Sequence, residues 1–315
     1  MNKMLNISIV RVMACIMVVF YHCICPYTPM WHAEEPLPMY TFIGRILHAI
    51  DMPCFFLISG YLYGLSYLQY NKYENSLLFV KSKTLRLFLP YLFWGVFLCL
   101  VMPDKYRFMR ILTGISHLWF LLSLFCMFLL TRIKLRFWIQ LSCRNLCIIT
   151  MICFVLHILV GKLQIPNWLG VYSTLQYFPV FVAGIWIGTH QLPRFHIYKL
   201  LFLLILIIAG IYTGRGIIMT YCMIFGGGMA ALLLRRLQNV SFIYPWILSL
   251  DKCSMGIYII HHILIVWLLQ NNIVASFMNT YILMAPWIMF VCVFFSSWIL
   301  THYSKKMKYT RLIIG

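Results

Sequence analysis

An arginine and a histidine stand eleven positions apart in the first apolar stretch of the chain, RVMACIMVVFYH (residues 11–22). Eleven steps of about 100° return to within roughly 20° of the start, so Arg11 and His22 would share one helix face. Their Cα atoms would lie about 16 Å apart along the helix, roughly half of the hydrocarbon thickness. Imidazole exchanges protons near neutral pH, and guanidinium binds negative charge. The spacing therefore predicts a candidate catalytic pair, although Arg11 could also snorkel to headgroups and His22 could simply be hydrogen-bonded at a helix end.

A second polar group lies in DMPCFFLISGYLYG (51–64), where Ser59, Gly60 and Tyr61 follow an aromatic apolar run. A glycine lets another backbone or a ligand approach closely, and small residues favour tight contact between membrane helices. Ser59 and Tyr61 are therefore either packing residues or candidate substrate contacts. We expect Asp51 to cap the start of this helix.

A basic pair follows in FVKSKTLRLFLPYLFW (79–94). Lys83 and Arg86 are three residues apart, so they would share a helix face at the cytoplasmic end of a span. One interpretation is simple anchoring by positive charge on the cytoplasmic side. The other is a clamp for a phosphate group, in which Arg86 supplies a planar fork and Lys83 a point charge.

Two histidine-containing motifs complete the set of candidates. GISHLWFLLSLF (114–125) places His117 and Trp119 at the start of a span, although tryptophan is common at membrane interfaces in any case. SMGIYIIHH (254–262) places His261 and His262 inside a later span. A hydrogen bond between helices is the expected role of these two histidines, and the sequence assigns them no other.

The composition indicates which elements must position these residues. Of the 315 residues, 63% are hydrophobic and only 10% are charged, whereas soluble domains carry about a quarter charged residues. The chain is therefore an integral membrane protein, and its N-terminal segment is expected to be a retained helix. The net charge of +19 does not indicate nucleic-acid binding, because the basic residues fall between apolar segments. Most of the twelve cysteines lie in apolar runs, and their spacing supports neither a disulfide framework nor a metal site.

Ten apolar segments have nearly the length that a helical span needs. They are residues 6–26, 42–68, 86–103, 116–131, 145–161, 170–189, 198–213, 216–234, 253–270 and 281–301. An even number of spans puts both termini on one side, and assigning that side to the cytoplasm leaves nineteen of the 25 lysines and arginines there. We predict an all-α polytopic membrane protein with about ten helices and both termini in the cytoplasm. We also expect residues 1–315 to form a single membrane domain without an appended soluble domain.

The ordered set of motifs resembles acyltransferase family 3, the integral membrane acyltransferases. The resemblance rests on R-x10-H in the first span, FFLISGYL in the second, K-x-x-R-x-x-x-P before the third, HLWFL at the fourth and SMGIYIIH near the end. It is greatest for the branch without a soluble domain, which O-acetylates surface polysaccharides. Lys83 departs from the usual Arg-x-x-Arg, which keeps the charge but loses the fork geometry.

The resemblance implies a reaction and roles for the residues that match its motifs. The donor would be an acyl-coenzyme A, most often acetyl-coenzyme A, used as a substrate without any permanently bound cofactor or metal. The acceptor would be a hydroxyl of a cell-surface polysaccharide or lipid-linked glycan at a bacterial cytoplasmic membrane. For this reaction we expect His22 to deprotonate the acceptor hydroxyl or to carry the acyl group transiently. We expect Arg11 to bind the donor or stabilise negative charge, and Lys83 and Arg86 to hold the phosphates of coenzyme A. The expected acceptor contacts are His117, Trp119, Ser59 and Tyr61.

A transport function is the alternative that the residues leave open. A membrane exporter or flippase of a glycan or lipid would also carry charges and histidines within its spans. Against this, the two halves of the chain lack corresponding spans broken by glycine or proline, and the GGG at 226–228 has no counterpart in the first half.

Overall fold

The computed structural model describes residues 2–31, 33–70, 75–190 and 244–315, and it describes the side chains of residues 7–31, 33–68, 75–190 and 245–315. In this part of the chain the regular structure is helical, as expected where hydrocarbon forces each backbone group to find a partner within its own segment. The α-helices are α1 (Asn2–Ile24), α2 (Pro38–Tyr70), α3 (Ser76–Lys83), α4 (Leu89–Val101), α5 (Met109–Thr113), α6 (Trp119–Ile133), α7 (Leu135–Ile139), α8 (Cys143–Lys162), α9 (Val171–Thr189), α10 (Tyr244–Leu269), α11 (Asn272–Thr280), α12 (Ala285–Ser304) and α13 (Thr310–Ile314).

Eight helical segments among the described residues are long and apolar enough to cross a membrane. They coincide with the first six predicted spans and with the last two, which confirms the predicted all-α polytopic class. The predicted spans at 198–213 and 216–234 lie outside the described residues. The count of ten and the location of the termini therefore stay predictions.

The first of two compact units contains α1, the part of α2 up to Phe55, and α10 to α12. Helix α1 packs against both α10 and α12, and these two helices also pack against each other. The buried core of this unit includes Val19, Ile24, Ile257, Val293 and Phe294. Since α1 and α10 are in contact along their length, polar side chains on their facing sides can meet.

The second unit contains α2 from Phe56 onwards and α3 to α9, together with most of α13. Its tightest contact joins α2 to α9 through glycines. A Cβ added at Gly60 would lie 1.9 Å from the carbonyl oxygen of Phe181, and one at Gly184 would lie 2.2 Å from that of Leu57. At Gly64 and Gly188, four residues further along each helix, an added Cβ would lie 2.8 and 2.5 Å from a carbonyl oxygen of the other helix. The two helices therefore meet backbone to backbone, in the small-residue arrangement common between membrane helices.

A π-helical turn, Thr84–Phe88, joins α3 to α4. Pro90 has no N–H to offer the carbonyl of Arg86, and its ring would clash with that carbonyl in a regular α-helix. The wider turn accommodates the proline, and the N–H of Leu89 bonds to the carbonyl of Thr84. The predicted span at 86–103 therefore begins within a longer helical segment, and Lys83 and Arg86 lie inside that segment.

Candidate functional site

Arg11 forms an ion pair with Asp251 in the first unit. Nη1 of Arg11 donates to Oδ1 of Asp251 at 2.6 Å, and the side chains are 23% and 14% exposed. The other carboxylate oxygen, Oδ2, accepts a hydrogen bond from the Ser8 hydroxyl at 2.7 Å. The guanidinium of Arg11 is therefore anchored through one nitrogen, while the carboxylate is satisfied on both oxygens.

Eleven residues further along α1, His22 meets His261 of α10. The Nδ1 atom of His22 lies 2.9 Å from the carbonyl oxygen of Val18, and that of His261 lies 3.0 Å from the carbonyl oxygen of Ile257. A carbonyl only accepts hydrogen bonds, so the geometry assigns the proton of each neutral ring to Nδ1. The basic lone pair of each ring is then on Nε2, and Nε2 of His261 lies 3.4 Å from Nδ1 of His22.

Helix geometry explains why both rings adopt the same arrangement. Side chains on an α-helix point back towards the preceding turn, which brings a ring nitrogen within reach of the carbonyl four residues earlier. His261 is fully buried, whereas His22 keeps part of its surface exposed. Of these two rings, His22 is therefore the one with exposed surface.

Other rings enclose this histidine pair. The ring of His262 lies 5.1 Å from that of His22, edge to face, and the ring of Trp31 lies 5.6 Å from that of His262. On the α2 side, Tyr21 stacks on His48 with the centroids 5.0 Å apart. The imidazole of His22 thus lies in an aromatic setting that holds its orientation.

Asp51 does not cap a helix, and that prediction is wrong. Helix α2 begins at Pro38, so Asp51 lies well inside it and is fully buried. Its Oδ1 accepts a hydrogen bond from the N–H of Met52 just before Pro53, where the helix lacks a backbone donor. His48, one turn earlier, approaches the same oxygen at 3.6 Å. Asp51 is therefore a fully buried acidic residue with a histidine one turn away.

Arg11 and His22 lie on one face of α1, as their spacing predicts, because both side chains contact α10. Their catalytic roles stay predictions. Their partners, Asp251 and His261, are ten residues apart, so α1 and α10 run in the same direction. Sequence reasoning missed Asp251 because the predicted span began at residue 253, whereas the helix begins at Tyr244. The chain has only six acidic residues, and the position of Asp251 next to an apolar segment is the sequence feature that could have indicated it.

The basic pair belongs to the second unit. Nζ of Lys83 lies 3.7 Å from the centroid of the Phe128 ring and 5.5 Å from that of Phe79. The guanidinium carbon of Arg132 lies 5.8 Å from the centroid of the same Phe79 ring, so two cations lie close to this ring. Arg86, beyond Lys83 in the π-helical turn, is exposed. The structure adds Arg132 to the predicted cations at this end of the unit.

His117 and Trp119 lie where the chain enters α6. His117 is buried, and its Nδ1 lies 3.4 Å from the hydroxyl of Ser116, which in turn lies 3.1 Å from the hydroxyl of Tyr106. Ser116 has a positive φ of 49°, which fixes the sharp turn before the helix. Trp119 stacks on Tyr177 with the ring centroids 5.6 Å apart. This arrangement gives His117 a hydroxyl network and gives Trp119 a packing role.

Ser59 and Tyr61 lie on α2 beside the glycine contact with α9. Tyr61 is buried, and Ser59 is half-buried. A Cβ added at Gly188 would lie 2.5 Å from the carbonyl oxygen of Tyr61, so this stretch of α2 backbone is in close contact with α9. The packing interpretation of SGY is therefore correct for Gly60, and substrate contact by Ser59 and Tyr61 stays a prediction.

The comparisons with known proteins now bear on this geometry. A family model described as an acyltransferase domain, that of acyltransferase family 3, matches residues 4–301, which is nearly the whole chain. The chain belongs to acyltransferase family 3. Comparisons with curated proteins and with solved structures give no match.

As a member of acyltransferase family 3, the protein is a multi-pass membrane acyltransferase. The match includes both α1 and α10, so the Arg11–Asp251 and His22–His261 pairs lie within the family domain. Membership also favours acyl transfer over the exporter alternative.

Proposed function

We propose that this acyltransferase moves an acetyl group from acetyl-coenzyme A to a hydroxyl of a cell-surface polysaccharide or lipid-linked glycan, with His22 as the general base. The proposed setting is a bacterial cytoplasmic membrane. The single observation that carries the proposal is the geometry of His22, whose Nδ1 faces the carbonyl of Val18 and whose basic nitrogen is therefore Nε2. A partly exposed imidazole with a fixed tautomer is suited to removing the proton of an acceptor hydroxyl.

His22 alone can accept and return the proton that is transferred in this reaction. As the acceptor oxygen attacks the thioester carbonyl carbon, its proton passes to Nε2 of His22. The tetrahedral adduct then collapses, the carbon–sulfur bond breaks, and the thiolate takes the proton back from Nε2. The products are the glycan ester and free coenzyme A, and His22 returns to its starting tautomer.

The proposed donor contacts are cationic. Arg11 keeps N–H groups besides the one that bonds to Asp251, since a guanidinium carries five donors. These could bind the donor or stabilise negative charge from the cytoplasmic side. In the second unit, Lys83 and Arg86 are the residues that we propose for the phosphates of coenzyme A, with Arg132 as an additional cation.

The proposed acceptor contacts are the polar and aromatic residues of the second unit. His117 and Trp119 offer an imidazole linked to hydroxyls and an indole, and sugar recognition uses both kinds of group. Ser59 and Tyr61 add two hydroxyls on α2.

The test is transfer of labelled acetyl groups. Membrane vesicles that contain the protein and their own glycans are given acetyl-coenzyme A labelled in the acetyl group, and base-labile label in the glycan fraction is measured. We expect His22→Ala to lower the rate by about 100-fold or more, since a positioned acid–base group contributes about 10²–10⁴-fold. His157→Ala is the matched control, because His157 is also a buried histidine within a span but has no proposed role.

Two results would overturn the proposal. One is an undiminished rate for His22→Ala at equal protein level. The other is base-labile label that does not depend on the wild-type protein at all, which is the result that an exporter would give.

A further inference from the structure

We propose that His261 is a positioning residue for His22, holding its tautomer and stabilising the imidazolium that forms during transfer. This inference rests on the proposed function of His22 and adds a second residue to it. His261 comes from α10, far along the chain from R-x10-H, and the sequence suggested for it only a hydrogen bond between helices.

The backbone carbonyls fix the direction of each hydrogen bond in this pair. Nδ1 of His261 donates to the carbonyl oxygen of Ile257 at 3.0 Å, so Nε2 of His261 carries a lone pair in the neutral ring. That lone pair lies 3.4 Å from Nδ1 of His22, which carries a proton because it also faces the carbonyl oxygen of Val18. His261 therefore accepts and His22 donates, in a three-centre arrangement with Val18.

The two histidines of this contact differ in burial. His261 is fully buried, and the backbone of its own helix fixes the direction of its ring. His22 is only partly buried. His261 thus acts through His22 and has no proposed contact with substrate.

In the reaction, His261 would stabilise the positive charge that forms on His22. When Nε2 of His22 takes the hydroxyl proton, the ring becomes an imidazolium whose Nδ1–H donates more strongly to Nε2 of His261. No bond beyond those of the transfer step forms or breaks, and the proton on Nδ1 stays where it is. A neutral imidazole thereby performs the orienting task that a carboxylate performs in many nucleophile–histidine sites.

The experiment compares His261→Leu with His261→Gln, using the labelled acetyl transfer described above. Leucine removes the acceptor, whereas the glutamine amide oxygen can still accept from Nδ1 of His22. We expect His261→Leu to lower the rate at saturating acetyl-coenzyme A by about 10- to 100-fold, the size of a hydrogen bond to a charged group. We expect His261→Gln to recover most of that loss, and both variants to keep the wild-type KM for acetyl-coenzyme A.

A double variant separates positioning from a purely structural role. In a His22→Ala background, His261→Leu should cause no further loss, because the residue that it serves is gone. His157→Leu is the matched control for losing a buried histidine from a span. Protein amount and detergent-solubilised size are measured for every variant, and His261→Gln carries the test if His261→Leu does not fold.

The outcomes are distinct for the two proposals. Wild-type rates for both His261 variants, alongside an inactive His22→Ala, would overturn the positioning role and leave the proposed function intact. Equal losses for leucine and glutamine, or further loss in the His22→Ala background, would also overturn it. An active His22→Ala would overturn the proposed function itself.

Discussion

The guanidinium of Arg11 is anchored to Asp251 through Nη1 alone, and the Ser8 hydroxyl holds the other oxygen of that carboxylate. Single-point anchoring fixes where the cation lies and leaves other N–H groups for a ligand. It also balances a charge that would otherwise be costly within a membrane helix. The pairing therefore suits a donor-binding role better than simple snorkelling does.

This arrangement predicts a split between donor use and turnover. Arg11→Ala should raise the KM for acetyl-coenzyme A by about 10-fold or more while leaving much of the saturated rate, since one charged contact is lost. His22→Ala should instead remove turnover. The measurement is the rate of acetyl transfer over a range of acetyl-coenzyme A concentrations. The reverse pattern, with KM changed by His22→Ala and turnover lost in Arg11→Ala, would contradict the assigned roles.

Asp251→Asn tests the anchor separately. The amide keeps the shape of the side chain but removes its charge, so Arg11 would be left without its counter-ion and the protein should unfold at a lower temperature. Adding Arg11→Met to Asp251→Asn should recover part of that loss, and thermal unfolding in detergent measures both variants. If Asp251→Asn unfolds at the wild-type temperature, Asp251 does not anchor Arg11.

At the residue scale, spacing along the chain predicts which residues share a helix face, but it does not predict which residues they contact. The shared face of Arg11 and His22 follows from helix periodicity alone. Their partners on α10, Asp251 and His261, come from about 240 residues away, and no local pattern encodes that contact. The prediction that Asp51 caps a helix conflicts with the predicted span at 42–68, which already contains Asp51, and the observed helix extends from Pro38 to Tyr70.

At the scale of elements, the contact between α2 and α9 sets the geometry of the second unit. Gly60 and Gly184 each face a carbonyl oxygen of the opposite helix, so a methyl group at either position would collide with backbone rather than with a movable side chain. Backbone atoms cannot move aside without shifting the whole helix. The glycines are therefore required for the two helices to approach.

We predict that Gly60→Ala and Gly184→Ala each lower the stability of the protein by about 1–3 kcal/mol, the usual cost of overpacking. Thermal or denaturant unfolding in detergent measures the change. Gly161→Ala is the matched control, because a Cβ there would make only an ordinary contact at 3.7 Å with Tyr172. That control should be neutral or slightly stabilising, since alanine favours a helix more than glycine does. Equal stability for all three variants would refute the backbone contact.

The elements themselves were largely predictable. Each described span has an apolar run of membrane length. Such a run forms a helix because its backbone groups must be hydrogen-bonded within the segment in hydrocarbon. The π-helical turn at Thr84–Phe88 was not predicted, although Pro90 was its visible cause. The end of an apolar run does not mark the end of its helix. A polar residue such as Asp251 can lie within a helix when a residue of another helix pairs with it.

At the scale of the whole molecule, the two units carry different chemistry. The first contains the histidine pair and the Arg11–Asp251 ion pair, and the second contains the aromatic-bound cations and the His117 network. Composition and the lengths of the apolar segments sufficed to predict a polytopic membrane protein, and the ordered motifs resembled the family to which it belongs. The division into units depends on contacts between distant helices, which lie beyond the reach of local sequence patterns.

The central claim is that this acyltransferase esterifies envelope glycans through His22. It is tested most directly by measuring base-labile acetate per unit of glycan in cells that lack the gene and are complemented with wild-type protein, His22→Ala or His157→Ala at matched levels. The account predicts that wild type and His157→Ala restore the ester, whereas His22→Ala leaves it at the level of the deletion. Restoration of the ester by His22→Ala to the wild-type level would contradict the account.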